Sequence, residues 1–559
     1  MLITGGEAVV RCLTAHGVDT VFGIPGTHNL SLYEAIRQSG SLRHILTRHE
    51  QGAAFMADGY ARASGREGVC ISTSGPALLN TATSLGTAYC DSSPLLCITS
   101  QIPSEGIGKQ KGYIHECRDQ LACIRPVTTW SARADTPSII PELIHEAFVR
   151  MRSGRPRPVV IEIPSDVLDA HQSVELPSPV PTPRVQPDPK SVLQAVELIR
   201  QSRRPVIWAG HGVIISDASE ILIRLAEHLD APVFSTVLGK GAIPEDHPLA
   251  AGSALPHPAA QTFLKQYDLV LAVGTRFTQE EADNWTLPLP QLMIHIEIDP
   301  EEIGRNYQPS VAVVGDARES MLQIHKLLPD LLPENSGVQH HKVAGLRRQI
   351  RDDLQASAPQ GVALVDTLES VLPRNSIIVS DLCIGAYWCR RLLNRFEPRT
   401  QIYPWGFCTL GFGLPAAIGA QVAQAKQPVV VLSGDGGFLF NCQELATARQ
   451  YGIPIIVLIF NNQSYEILKI QQQTRYDHPF EVDMVNPDFV MLAESFGAVG
   501  RRVTSFTQLK KAIHEALSSN DLTVIDVTVD IPLPLIEPGM RAMCPELKTE
   551  NSFTSSVEK

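Results

Sequence analysis

Val431-Leu-Ser-Gly434-Asp435-Gly436-Gly437-Phe438 is followed, roughly two dozen residues later, by Ile455-Ile-Val-Leu-Ile-Phe460-Asn461-Asn462. Each is an apolar, β-branched run long enough for one buried parallel strand, and each stops at small or polar residues. Between them, Gln443-Glu-Leu-Ala-Thr-Ala-Arg-Gln450 places apolar residues at helical spacing, so the unit reads strand, loop, helix, strand. Ligands of parallel sheets bind beyond the carboxyl ends of the strands, where both polar clusters fall. A glycine loop there lets backbone N–H groups approach a diphosphate, because no Cβ intervenes. Asp435 and Asn462 add two hard oxygen ligands of the kind Mg²⁺ takes while keeping room for phosphate oxygens and water.

The chain of 559 residues is too long for one core, and at roughly 100–200 residues per domain it divides into about three. A net charge of −12 argues against nucleic acid or an anionic membrane surface as the main partner. No basic-then-apolar leader opens the chain, and no apolar run reaches the roughly 18 residues of a membrane span, so the expected location is cytoplasmic, with no membrane contact. The eleven cysteines include no C-x-x-C pair and lie in apolar surroundings such as Leu96-Cys97-Ile98. They read as buried reduced thiols, not disulfides or zinc ligands.

Strand-like and helical patterns alternate from the start. Thr20–Ile24, His44–Thr47, Val69–Ser74, Pro94–Thr99 and Arg157–Pro164 read as strands, with helices over Thr4–His16, over Gly52–Arg62 and from Asn80 onward. This alternation predicts α/β domains, each a doubly wound parallel sheet. The first covers residues 1–170, and a proline- and serine-rich linker follows over 171–190. A second alternating block runs over 191–332, with strands at Pro205–Ala209, Pro232–Ser235, Leu269–Val273 and Met293–Asp299. A polar linker over 333–360 contains His340-His341, read as a solvated feature. The third domain covers 361–535, and a polar tail runs over 536–559.

The pairing of Gly434-Asp435-Gly436 with Asn461-Asn462 resembles the thiamin diphosphate (ThDP) fingerprint of the acetolactate synthase, pyruvate oxidase and 2-oxo acid decarboxylase superfamily. The resemblance runs from about residue 3 to 530. It implies three ThDP-type α/β domains: a pyrimidine-binding first domain, a central domain, and a diphosphate- and Mg²⁺-binding third domain. Thr47–Arg62 is similar to the segment carrying the cofactor-activating glutamate, which maps onto Glu50. In such enzymes a carboxyl group at N1′ of the aminopyrimidine promotes the imino tautomer that takes the C2 proton. The same resemblance implies cofactor contacts at Pro25, Gly26, Asn80, Gly406, Gly434, Gly436 and Gly437. By it the Cys408 carbonyl accepts from the pyrimidine amine and Leu410 wedges between the two rings. The metal ligands become Asp435, Asn462 and the Ser464 carbonyl. Relatives often place Gln-His after the Ser376–Asp381 strand, where this chain has Ile384-Gly385, so that this diphosphate contact is lost or passes to the backbone.

Two positions bear on the substrate. His115 stands where synthases and oxidases usually have glutamine in Phe-Gln-Glu, and a histidine there suits a proton donor or a substrate contact. Glu466 replaces a glycine found in many relatives, about one helical turn past a metal ligand. A carboxylate there suits a cationic side chain, through a bidentate pair with a guanidinium, while a plain helix-start glutamate is the alternative.

The chemistry implied is addition of the cofactor carbanion to a small 2-oxo acid, loss of CO₂, and an enamine that is then protonated, ligated or oxidised. The wording of Thr47–Cys70 and Gly112–Gln120 is similar to 2-ketoarginine (5-guanidino-2-oxopentanoate) decarboxylases, which favours decarboxylation, with an acetolactate synthase-like carboligase as the alternative. Glu50, Asp435 and Asn462 together argue against a non-catalytic subunit. Gly210-His211-Gly212 lacks the full G-x-G-x-x-G, and no Met-His-Gly stretch follows Thr236–Gly241, which argues against FAD. Because the family places its cofactor between the first domain of one subunit and the third of another, the expected assembly is a homodimer or homotetramer.

Overall fold

The computed structural model describes residues 1–176, 181–328 and 337–534 and contains three six-stranded sheets, all parallel. β1 (Leu2–Thr4) stands outside them. The first sheet takes β2 (Thr20–Gly23), β3 (Arg43–Leu46), β4 (Gly68–Ser72), β5 (Leu95–Gln101), β6 (Trp130–Arg133) and β7 (Val159–Pro164) in the order β3-β2-β4-β5-β7-β6. β8 (His171–Ser173) then pairs antiparallel with β1. This extends the first domain to Ser173, past the expected boundary at 170, because the returning chain hydrogen-bonds to the first strand before leaving the domain.

The central sheet holds β9 (Pro205–Ala209), β10 (Val233–Ser235), β11 (Ala250–Gly252), β12 (Leu269–Val273), β13 (Leu292–Glu297) and β14 (Val311–Val314) in the order β11-β10-β9-β12-β13-β14. The third takes β15 (Ile377–Ser380), β16 (Gln401–Ile402), β17 (Val429–Gly434), β18 (Ile455–Phe460), β19 (Val499–Val503) and β20 (Thr523–Val527) in the order β16-β15-β17-β18-β20-β19. Counted within each sheet, the first and third share the order 2-1-3-4-6-5 and the central one has 3-2-1-4-5-6. β17 and β18 are buried along their whole length, as expected of strands covered on both faces by helices.

Within the expected linker 333–360, residues 338–357 form a twenty-residue helix. Its buried Val343, Leu346, Ile350 and Leu354 recur at spacings of three and four, a helical stripe diluted by polar residues. His340 and His341 lie exposed on it. The neighbouring helices Pro189–Gln201 and Pro359–Val371 also start inside the stretches expected to be linkers. The linker residues 177–180 and 333–336 and the tail 536–559 lie outside the described residues.

The first and third domains share one hydrophobic core, with Phe55 and Met56 packed among Phe412, Ile418 and Val431. Helix Glu50–Ser64 lies against helix Gly413–Ala423 at backbone contact. A Cβ at Gly59 would strike the Ala416 carbonyl, and one at Gly419 would strike that of Met56. This contact fixes where the start of helix Glu50–Ser64 sits relative to the third domain. Among the described residues no helix is long and apolar enough to cross a membrane.

Candidate active site

β17 and β18 pair in register from Val429↔Ile455 to Gly434↔Phe460. The residues that follow, Asp435 and Asn461-Asn462, therefore leave the same edge of the sheet side by side. Asp435 does not enter a glycine loop, as the sequence suggested; it opens a five-residue helix, Asp435–Leu439. Gly436 is needed at its start because a Cβ would sit 2.6 Å from the Tyr465 ring, while one at Gly437 would crowd the Asp381 carboxyl. The Asp435 carboxylate accepts from the Gln463 N–H at 2.7 Å and from Asn486 Nδ2 at 2.8 Å. Burial pushes its pKa up, against the pull of these donors.

Asn462 turns its amide nitrogen to Glu466, donating to Oε2 at 3.1 Å, which leaves the amide oxygen free. Glu466 begins helix Glu466–Tyr476, as expected, and that helix has no buried residue. Asp435, Asn462, Ser464 and Glu466 line one cavity of about 330 Å³, together with Gly434, Gly436, Gly437 and Leu410. Ile384 and Gly385 line it too, at the first turn of the nine-residue helix Ile384–Leu392. Their backbone lies where unpaired helix N–H groups favour an anion, in place of the absent Gln-His. Three oxygen donors beside such a helix start are the donor set a Mg²⁺–diphosphate requires, so these residues fit both groups.

The residues expected from the first domain collect at the carboxyl ends of β2 to β5, and none of them lines that cavity. Glu50 is the first residue of its helix, and Asn80 Nδ2 donates to its Oε2 at 2.9 Å. Asn80 ends helix Pro76–Asn80 instead of leading the next, Ala82–Asp91. Pro25 is exposed. Gly26 donates its N–H to Asn29 Oδ1 at 2.7 Å and presses on the Thr73 side chain. His115 has a left-handed backbone, φ 63°, and its carbonyl lies against Gly75, which leaves no room for a Cβ there.

Sequence reasoning missed His28. Its ring stands edge-on to that of His115 with centroids 5.7 Å apart, and its Nδ1 lies 2.6 Å from Ser74 Oγ. Burial, then the neighbouring His115, lowers the His28 pKa. His115 Nδ1 is buried with no hydrogen-bond partner among the described residues. The only available signal was the placement of His28 in the turn after the first strand, since its partner is 87 residues away.

Cys408 also has a left-handed backbone, φ 49°, and its thiol donates to the Trp405 carbonyl at 3.0 Å. Gly406 donates its N–H to the buried Asp91 at 2.7 Å, and a Cβ on it would meet Cys90. All ten described cysteines are free; five are buried, while Cys123 and Cys408 are exposed.

A second cavity, of about 490 Å³, opens between the first and central domains and is lined in part by Arg155, Arg184, His211 and Glu297. The glycines flanking His211 are explained by packing, since a Cβ at Gly210 or Gly212 would meet the Gly274 backbone. His211 Nδ1 lies 3.2 Å from the Asp91 carbonyl, and burial lowers its pKa to about 3.

Three family models cover the chain: the thiamine pyrophosphate enzyme N-terminal TPP binding domain over residues 3–123, the central domain over 192–324 and the C-terminal TPP binding domain over 384–527. The chain is 40% identical over 531 aligned positions to the probable 2-ketoarginine decarboxylase AruI of Pseudomonas aeruginosa, covering 94% of each chain. It is 39% identical over 560 positions to the probable acetolactate synthase large subunit of Methanocaldococcus jannaschii, covering 96% of this chain and 94% of that one. The acetolactate synthase of Arthrospira platensis is 33% identical, with 96% of both chains covered.

Proposed function

The chain belongs to the thiamine pyrophosphate enzyme family, and from that premise we propose that it carries out ThDP- and Mg²⁺-dependent, non-oxidative decarboxylation of a 2-oxo acid with a cationic side chain, a guanidino 2-oxo acid foremost. The observation that carries this reading is Glu466, a carboxylate lining the cavity that also holds Asp435, Asn462 and Ser464. One of its oxygens accepts from Asn462, and the carboxylate keeps capacity for a guanidinium fork. The likeness to the 2-ketoarginine decarboxylase agrees in substrate class.

Asp435, Asn462 and the Ser464 carbonyl would hold Mg²⁺, and the helix starts at Gly434–Gly437 and Ile384-Gly385 the diphosphate. When bound, the cofactor would supply a nucleophilic carbon and a cationic ring able to take up the electron pair released with CO₂. Glu50, anchored by Asn80, holds a proton at the aminopyrimidine. Pro25 and Gly26 form the adjoining wall, while Gly406, Cys408 and Leu410 set the shape of the cofactor's bed. His115, backed by His28, delivers the proton that turns the decarboxylated product into an aldehyde. Flavin has no part in this reading, so the purified protein should show no flavin absorbance.

The third-domain cavity is lined by no first-domain residue among the described residues, which supports a site completed by a second copy in a homodimer or homotetramer. Exposed apolar side chains support this: Leu79 and Ile114 beside the first-domain residues, Phe407 and Phe440 beside the third-domain ones. The free thiols suit a reducing cytoplasm.

The test is incubation with ThDP, Mg²⁺ and a panel of 2-oxo acids, following CO₂ and identifying products. The expected result is an aldehyde from a guanidino acid in preference to pyruvate. An acetohydroxy acid from pyruvate would replace this reading with the carboligase one, which the likeness to the acetolactate synthases favours.

A further inference from the structure

Glu444 is a buried carboxylate that none of the roles above uses. It lies in the short segment between helix Asp435–Leu439 and helix Leu445–Gln450, has no exposed surface, and faces the first domain of its own chain. Its Oε1 accepts from the backbone N–H of Arg48 at 3.1 Å and of His49 at 3.0 Å. Its Oε2 accepts from the Thr447 hydroxyl at 2.6 Å. Gly52 lies directly on it, so that a Cβ there would come within 2.5 Å of Oε1.

Two further contacts from the third domain hold the same turn. The Leu46 N–H donates to the Tyr451 phenolic oxygen at 2.9 Å, and Arg48 Nη2 donates to Gln450 Oε1 at 2.6 Å. The segment from the end of β3 to the first turn of helix Glu50–Ser64 is thus gripped from outside its own domain, with Glu444 at the centre. The residue that emerges from this grip is Glu50.

We propose that Glu444 is a positioning residue: by binding the Arg48 and His49 N–H groups it fixes the turn that aims the Glu50 carboxylate at the cofactor. The proposal rests on the ThDP reading above. Glu444 touches neither substrate nor cofactor in this assignment and acts only through Glu50. Loss of a side-chain acceptor for a backbone N–H costs about tenfold in a local equilibrium, and Glu444 serves two such groups.

The test uses the full-length protein with Glu444→Ala and Glu444→Gln, the latter keeping a carbonyl oxygen for the two N–H groups. In the apo protein, amide hydrogen exchange at Arg48 and His49 should rise about tenfold or more in E444A and stay near wild type in E444Q. At saturating ThDP, C2–H exchange of the bound cofactor should slow about tenfold or more in E444A and recover in E444Q. ThDP affinity should stay within about threefold in both, because the third-domain ligands are intact. Faster amide exchange with unchanged C2–H exchange would make Glu444 merely structural, and unchanged amide exchange would remove the clamp; either overturns the proposal. Should E444A fail to fold, Glu444→Asp, which withdraws the oxygens by one methylene, must show the same two losses or the proposal fails. Wild-type protein that binds no ThDP would instead bring down the functional reading itself.

Discussion

The first and third domains have the same strand order, yet they hold their chemistry in different ways. In the third, the register of one strand pair delivers Asp435 and Asn462 to the same edge, and nearby turns complete an oxygen-rich cavity. In the first, the candidate site side chains come from the ends of four strands and are held by one another: Asn80 on Glu50, His28 beside His115. On the proposed reading, the same scaffold serves as a rigid mount for a metal and diphosphate and as an adaptable mount for proton transfer. Chemistry set by strand register tolerates little change, whereas chemistry set by loops can be retuned by single substitutions.

The sharpest way to break this division of labour is to separate its halves. E50Q and D435A should each be inactive as homo-oligomers. A heterodimer carrying one of each should recover about half the wild-type activity if sites form between subunits, because one of its two sites then has both intact halves. No recovery in a tag-selected heterodimer would place each site within one chain.

Taken singly, the two variants should fail differently. Glu50→Gln should slow C2–H exchange of bound ThDP by about a thousandfold or more while ThDP still binds, a loss of about 4 kcal/mol or more in transition-state terms. Asp435→Ala should weaken Mg²⁺-dependent ThDP binding by about a hundredfold or more, with little change in apo melting temperature. Calorimetric titration would show whether binding and activation divide between the domains in this way.

A smaller effect lies at the seam between them. Burial pushes the Glu444 pKa up to about 7 from an ordinary 4.5. The folded state then holds a proton that the unfolded state releases, so the associated stability is fully present below about pH 4.5 and is lost as pH rises through about 7. The span corresponds to about 3 kcal/mol, and Glu444→Gln should flatten that part of the pH–stability curve. Denaturant midpoints at pH 5 and pH 8 would reveal it.

The smallest change expected is also the most selective. Glu466→Gln should weaken use of a guanidino 2-oxo acid by about 1.5–3 kcal/mol in kcat/KM and leave pyruvate turnover nearly unchanged. Equal losses on both substrates would point to a general acid or a packing role.

The third domain's motif was legible because contiguous β-branched runs announce buried strands, and because register carries their ends into the same place. The first domain was legible only in part. Glu50 could be read from its segment, but the partners of Glu444 and His28 are distant in the chain, and no local pattern reports such a contact. Strands were missed where the apolar signal was weak. β6 is half-exposed along its length, and β19 carries Arg501 and Arg502 at a sheet edge. The helix at 338–357 was hidden for a related reason, four buried residues spread through a charged stretch.

The backbone contact between helices Glu50–Ser64 and Gly413–Ala423 has a consequence for recombination. Gly59 and Gly419 meet main chain, not side chains, so neither partner can adapt to a foreign surface by changing rotamers. A chimera that takes its first domain from one relative and its third from another would inherit a mismatched seam unless both glycines and their facing carbonyls travel together. The two domains, remote in sequence, therefore form one heritable cassette.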